Sequence, residues 1–166
     1  MDFDDMVREL APPPNRVGKC VGGLEHHRDE GAVLVAFAMH LLRTTSTQEV
    51  WIHPDGEHGK RFDFAGWLHK RGFERTSRSG RTEYGGTYTW PDGRRIVVNP
   101  TPGKGDVVAE VDGIVLSAEC KGGIINTRHS GKVSRLYKGL CETVGPLMAN
   151  PSPDGRSQSS RGRTVH

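Results

Sequence analysis

Gly105-Asp106-Val107-Val108-Ala109-Glu110-Val111-Asp112-Gly113-Ile114-Val115-Leu116-Ser117-Ala118-Glu119-Cys120-Lys121-Gly122 is the stretch from which the fold is read. Asp112-Gly113 suits a two-residue hairpin turn, whose central residues both need positive φ. The flanking runs are rich in Val, Ile and Leu and read as strands. With that turn Val111 pairs with Ile114, and counting back along both strands sets Asp106 directly opposite Glu119. Paired residues share a face of a sheet, with Cβ atoms about 4.5–5.5 Å apart. Lys121, two residues past Glu119, projects on the same face. A slip of one residue would scatter the three, so the arrangement depends on the turn.

Two carboxylates so close repel each other, which raises the pKa of the pair unless a cation joins them. A hard divalent cation resolves the conflict: magnesium typically takes one or two carboxylates, together with water and substrate phosphate oxygens. It can lower the pKa of a bound water and neutralise charge on a phosphoryl group. A lysine beside it can orient that water or offset developing charge. The alternative is an ordinary polar face of an antiparallel pair.

Working outward, Thr87–Trp90 and Arg94–Asn99 read as strands around the turn Pro91-Asp92-Gly93, and Val50-Trp51-Ile52 as a short strand. From about Asp29 to Arg43 apolar residues cover every side of a helical wheel, which predicts a helix packed between other elements. Phe62, Ala65 and Leu68 recur at helical spacing within 61–71, with Gly72 as the stop. Residues 53–60 are turn chemistry around Pro54-Asp55-Gly56, and 74–86 carry no clear period. The run Val133, Leu136, Tyr137, Leu140, Cys141, Val144, Leu147, Met148 is an amphipathic helix with Lys132, Arg135 and Lys138 on its polar side. A short amphipathic start at Asp4–Leu10 is stopped by Pro12-Pro13-Pro14. The expected organisation is an irregular N-terminal arm over 1–28, one domain over 29–149 and a disordered basic tail over 150–166.

Composition bounds the function classes. Within 166 residues, 35 are Leu, Ile, Val or Phe, which gives a modest core, and a net charge of +3 does not prevent collapse. The longest apolar run, Gly31–Leu42, is too short to span a bilayer, and no secretory signal opens the chain. Three cysteines, Cys20, Cys120 and Cys141, lack metal-site spacing and point to a reducing cytoplasm. Residues 1–60 hold 6 Lys/Arg against 10 Asp/Glu, whereas 61–166 hold 17 against 10, so a polyanion suits the basic part.

The strings Gly105-Asp106-Val107-Val108-Ala109-Glu110 and Ser117-Ala118-Glu119-Cys120-Lys121-Gly122 resemble the active-site signature of the PD-(D/E)xK nuclease superfamily. The likeness runs from about Arg61 to Met148 and includes the order helix, strands, Asp-bearing hairpin, Glu-x-Lys strand, helix. It implies an α/β domain of restriction-endonuclease-like form, with a mixed central sheet flanked by helices. It further implies a Mg²⁺-dependent (or Mn²⁺-dependent) nuclease acting on nucleic acid, with DNA favoured. Asp106 and Glu119 would bind the metal with the backbone carbonyl of Cys120, and Lys121 would assist the attacking water. Gly105 stands where the signature usually has proline. The true Pro-Asp pairs, at Pro54, Pro91 and Pro153, sit in turn chemistry and give no register opposite Glu119.

Members of the superfamily often add an acid from the first core helix. Asp63 and Glu57 are the candidates, with Asp63 preferred, although a helix-start carboxylate stabilised by the macrodipole explains Asp63 equally well. Lys132, Arg135 and Lys138 suit phosphate contact as well as a solvated helix face. Cutting both strands of a duplex would take two such sites, hence a homodimer or larger assembly. The rival class is a non-catalytic nucleic-acid-binding or assembly subunit that keeps the fold. Tyr84, Tyr88 and Trp90 fit sheet packing better than base stacking. Cys120 faces the core, the eight histidines show no zinc spacing, and no Gly-rich phosphate loop is present.

Overall fold

The computed structural model describes residues 7–18, 20 and 22–126. Strand β1 (Val7–Leu10), a 3₁₀ turn (Pro14–Arg16) and β2 (Glu25–Arg28) lead into helix α1 (Glu30–Thr44) and β3 (Glu49–Ile52). Helices α2 (Gly56–Arg61) and α3 (Phe64–Lys70) follow, then β4 (Glu74–Arg78), β5 (Gly86–Thr89) and β6 (Arg95–Val98). The hairpin β7 (Val107–Val111) and β8 (Ile114–Ala118) precedes a short β9 (Gly123–Ile124). Six strands form a mixed sheet in the order β4-β5-β6-β3-β7-β8, in which β3 and β6 run parallel and the other neighbours antiparallel. The protein is thus a mixed α/β structure. A second sheet has the order β1-β2-β9.

Alternation along each strand builds the core. Val50 and Ile52 of β3, Ile96 and Val98 of β6, and Val107 and Ala109 of β7 turn inward and are buried. Leu34, Val35, Ala38, Met39 and Leu42 of α1 meet them, with Phe64, Leu68 and Phe73 filling the flank. Most sides of α1 are buried because the sheet lies on one and α2 and α3 on another, as its all-round apolar wheel predicts. The helix closes where the Thr45 N–H donates to Leu41 O at 3.1 Å and the Arg94 guanidinium donates to Leu42 O. A cation there also suits the negative helix end.

The hairpin register is the one read from the turn. Val111 pairs with Ile114 and the ladder runs to Val107 opposite Ala118. Asp112 and Gly113 have φ of 52° and 76°, which is the primed turn that matches strand twist. The expected helix within 61–71 is shorter, starting at Phe64, and Gly72 takes a φ of 83° just past its end. The stretch 53–60 is not wholly turn, since α2 occupies part of it.

The N-terminal stretch differs from expectation. Val7–Leu10 is a strand, not an amphipathic helical turn, and pairs with Glu25–Arg28 across the proline run. The partner that completes this sheet is β9, about a hundred residues away, so no local pattern announces it. The Asn126 side chain seals the junction, accepting from His26 N–H at 2.8 Å and donating to Leu24 O at 2.7 Å. Glu25, 2% exposed, meets the His27 Nε2 at 2.8 Å. The proposed helix over 133–148 and the tail over 150–166 lie outside the described residues.

Candidate metal centre

The ladder of β7 and β8 ends one pair short of Asp106 and Glu119, and the two segments stay side by side just beyond it. The two carboxyl groups lie close enough for each charge to be felt by the other. Like charges so placed favour a proton or a cation at the pair. The Cys120 N–H donates to Asp106 Oδ2 at 2.8 Å, so the main chain of the Glu-x-Lys strand fixes the aspartate. Burial pushes the Glu119 carboxyl above its ordinary value; the Asp106 charge and hydrogen bond add to this, Lys121 opposes it and Glu30 adds again.

Cys120 turns inward, 6% exposed, and joins the hydrophobic core. Burial and then the charges of Asp106, Glu30 and Glu119 push its thiol up to about 12, against the pull of Lys121. A thiol held so far from ionisation is no nucleophile at neutral pH. Its neighbours Glu119 and Lys121 alternate to the other side, and Lys121 is exposed.

Glu30, the first residue of α1, was not among the residues singled out from the sequence, yet its charge reaches both Glu119 and Cys120. Gly122 explains the approach. A Cβ on Gly122 would stand 2.7 Å from Arg28 O and 2.5 Å from Glu30 N, so only a glycine lets the strand after Lys121 lie against the start of α1. The helical acid whose charge reaches the pair is thus at the start of α1, not Asp63 at the start of α3. Its signal is its place in the first turn, which an ordinary dipole-stabilised glutamate shares.

Asp63 is placed differently from the expectation. It caps α3, accepting from the Gly66 N–H at 2.9 Å, and its charge is felt by Tyr88 on β5. Strands β6 and β3 lie between β5 and β7, so Asp63 does not join the Asp106–Glu119 pair. Glu57 falls on α2, with its side chain outside the description, and Lys132, Arg135 and Lys138 lie outside the described residues.

Gly105 accounts for the missing proline. It is buried, and a Cβ there would overlap the Ser117 hydroxyl and come within 3.2 Å of Ala118 O. That hydroxyl is held in place by donating to Lys104 O at 2.9 Å. Any residue with a side chain, proline included, would have to displace the Ser117 hydroxyl from that place.

On the other side of Asp106, His53 extends the β3–β7 pairing. The His53 N–H donates to Asp106 O at 2.8 Å, continuing the register in which Ile52 faces Val107. His53, Asp106 and Glu119 thus form a row across three strands at one end of the sheet. Nothing in the sequence set β3 beside β7, because the two are distant in the chain. Among the described residues no group of three or more His, Cys, Asp or Glu side chains lies close enough to hold an ion by itself. The donor set on offer is two carboxylates with main-chain oxygen nearby. That fits magnesium, which keeps open positions for water and phosphate, better than zinc, which takes three or four protein side chains.

No family model matches this chain, and neither does any curated protein or solved structure. No helix among the described residues is long and apolar enough to cross a membrane.

Proposed function

We propose that the protein is a divalent-metal-dependent nuclease of restriction-endonuclease-like architecture that hydrolyses phosphodiester bonds, in DNA ahead of RNA. The observation that carries this reading is that the β7–β8 hairpin and the Cys120 N–H bond to Asp106 Oδ2 set Asp106 beside the Glu119-Cys120-Lys121 segment. Asp106 and Glu119 hold Mg²⁺ (or Mn²⁺), with the Cys120 carbonyl as the main-chain ligand. When bound, the ion supplies an acidified water and neutralises charge on the phosphoryl group. Lys121 donates to the attacking water and orients it toward phosphorus, and its ammonium offsets charge that builds on the phosphoryl oxygens. The Cys120 N–H keeps Asp106 from turning away. Glu30 adds negative charge near the pair, which strengthens its hold on any positive charge, proton or metal ion.

A plasmid-nicking assay tests this. Relaxation of supercoiled DNA in Mg²⁺, its loss in EDTA, and its loss in Lys121→Ala and Asp106→Asn proteins that melt like the wild type are expected. Binding of DNA without cleavage under any divalent ion overturns the assignment in favour of a non-catalytic nucleic-acid-binding or assembly subunit.

A further inference from the structure

The row that ends in Asp106 continues along β3 as two aromatic rings. Trp51 faces Val108 across the β3–β7 pairing, and His53 faces Asp106, so both side chains project on the face that carries the carboxylate. Trp51 is 38% exposed, an unusual position for the largest side chain in a chain with few aromatics. The aromatics proposed above for sheet packing do that job: Tyr88 is 1% exposed, and Trp90 stacks on Phe73 with centroids 4.8 Å apart. Among the described residues Trp51 is the one Phe, Tyr or Trp left exposed.

Both rings are held rigidly. The indole N–H donates to Glu49 Oε1 at 2.7 Å, and the other Glu49 oxygen is bound by the Arg95 guanidinium. The His53 Nδ1–H donates to Thr101 O at 2.7 Å, since a carbonyl can only accept, and Gly103 packs so closely on the imidazole that a Cβ there would overlap it. The two planes lie within 15° of each other with centroids 6.3 Å apart. Successive bases in a duplex strand are about 3.4 Å apart, roughly half that spacing. Rings on alternate residues of a β-strand therefore suit bases that have been drawn apart, as in an extended single strand. An open cavity of about 600 Å³ adjoins Trp51, lined also by Glu49, Val108, Glu110 and Val115. Its carboxylates would repel phosphates, so a nucleic-acid strand lying here would turn its bases to the sheet and its backbone outward.

We infer that Trp51 and His53 form a two-ring stacking platform for unpaired bases, delivering a single strand or a locally unpaired segment to the Asp106–Glu119 pair. This rests on the nuclease reading and narrows its substrate class. Rigid rings lose little conformational freedom when a base stacks on them, and stacking tolerates any sequence.

The test measures binding in EDTA, where no cleavage intervenes. A fluorescein-labelled oligothymidylate and a duplex of equal length are titrated with the full chain and followed by anisotropy, and tryptophan emission is recorded with unlabelled DNA. The single strand is expected to quench tryptophan emission. Trp51→Ala is expected to weaken single-strand binding about ten-fold while changing duplex binding less than about two-fold. Trp51→Phe, which keeps a ring, restores most of the affinity and guards against a folding artefact. Equal single-strand binding by wild type and Trp51→Ala, a parallel loss on both DNAs, or no single-strand binding at all overturns the platform. Lys121-dependent nicking with no Trp51 effect sinks the platform alone. A Trp51-dependent preference without metal-dependent cleavage keeps the platform and sinks the nuclease reading.

Discussion

Replacing Gly105 by alanine probes whether the position before Asp106 is closed by Ser117. In the wild type the Ser117 hydroxyl fills the space a Cβ would need, with Ala118 O at 3.2 Å and Ala118 N at 3.4 Å from the same point. Adding a methyl group to a filled site costs about 1–3 kcal/mol. Ser117→Ala by itself forfeits the bond to Lys104 O, about 1 kcal/mol. With the hydroxyl gone, the alanine at 105 meets only the Ala118 main chain at tolerable distances, so the double variant should be about 1–2 kcal/mol more stable than the sum of the single losses. Urea titrations of the four proteins, fitted with a common slope, give the coupling directly. Losses that add within about 0.5 kcal/mol would show that Ser117 does not close the site. The explanation for glycine in place of proline would fall with it.

Three further outcomes are expected. Gly122→Ala drives a Cβ into the backbone of Arg28 and Glu30, so it should lower the melting temperature and, in urea, cost about 1–3 kcal/mol; an unchanged midpoint refutes the contact. Burial, aided by Asp63 and opposed by Arg75, raises the Tyr88 phenol above its ordinary 10.0. The fold favours the neutral phenol, so its contribution is intact below that pH and is lost as pH rises toward the folded-state value; alkaline unfolding scans of Tyr88→Phe should fall less steeply than wild type. At neutral pH that variant should cost about 1 kcal/mol for the lost bond to Tyr84 O. Glu119→Gln relieves the carboxylate pair, so without divalent ions it should melt above the wild type. Mg²⁺ should stabilise the wild type, by about 2.7 kcal/mol at a hundred times its Kd, and leave the variant unmoved, as read by thermal shift.

How much of this was legible depended on sequence distance. The Asp106–Glu119 juxtaposition could be counted out because a two-residue turn leaves one register, and the strands around it are apolar on the correct alternation. The α1 helix was legible from its continuous apolar surface, and β3, β5 and β6 from β-branched and aromatic runs bounded by turn residues. Glu30 and His53 were not, because each reaches the centre through a contact that no local pattern encodes: Gly122 against the start of α1, and β3 alongside β7. Asp63 misled because a carboxylate opening a helix looks alike whether it holds a cap or an ion. Strand β1 was obscured by its brevity and its exposed side chains, which carry no alternation.

The pairing of β2 with β9 ties the order of biosynthesis to competence. His27 waits for Ile124 and His26 for Asn126, so the segment bearing Glu119 and Lys121 is anchored only after nearly a hundred intervening residues have left the ribosome. Closing so long a loop is slow compared with forming the hairpin, which needs only its own turn. A nascent chain can therefore form the β7–β8 hairpin on its own turn, while the strand that follows Lys121 gains its place only by finding β2 at the far end of the chain.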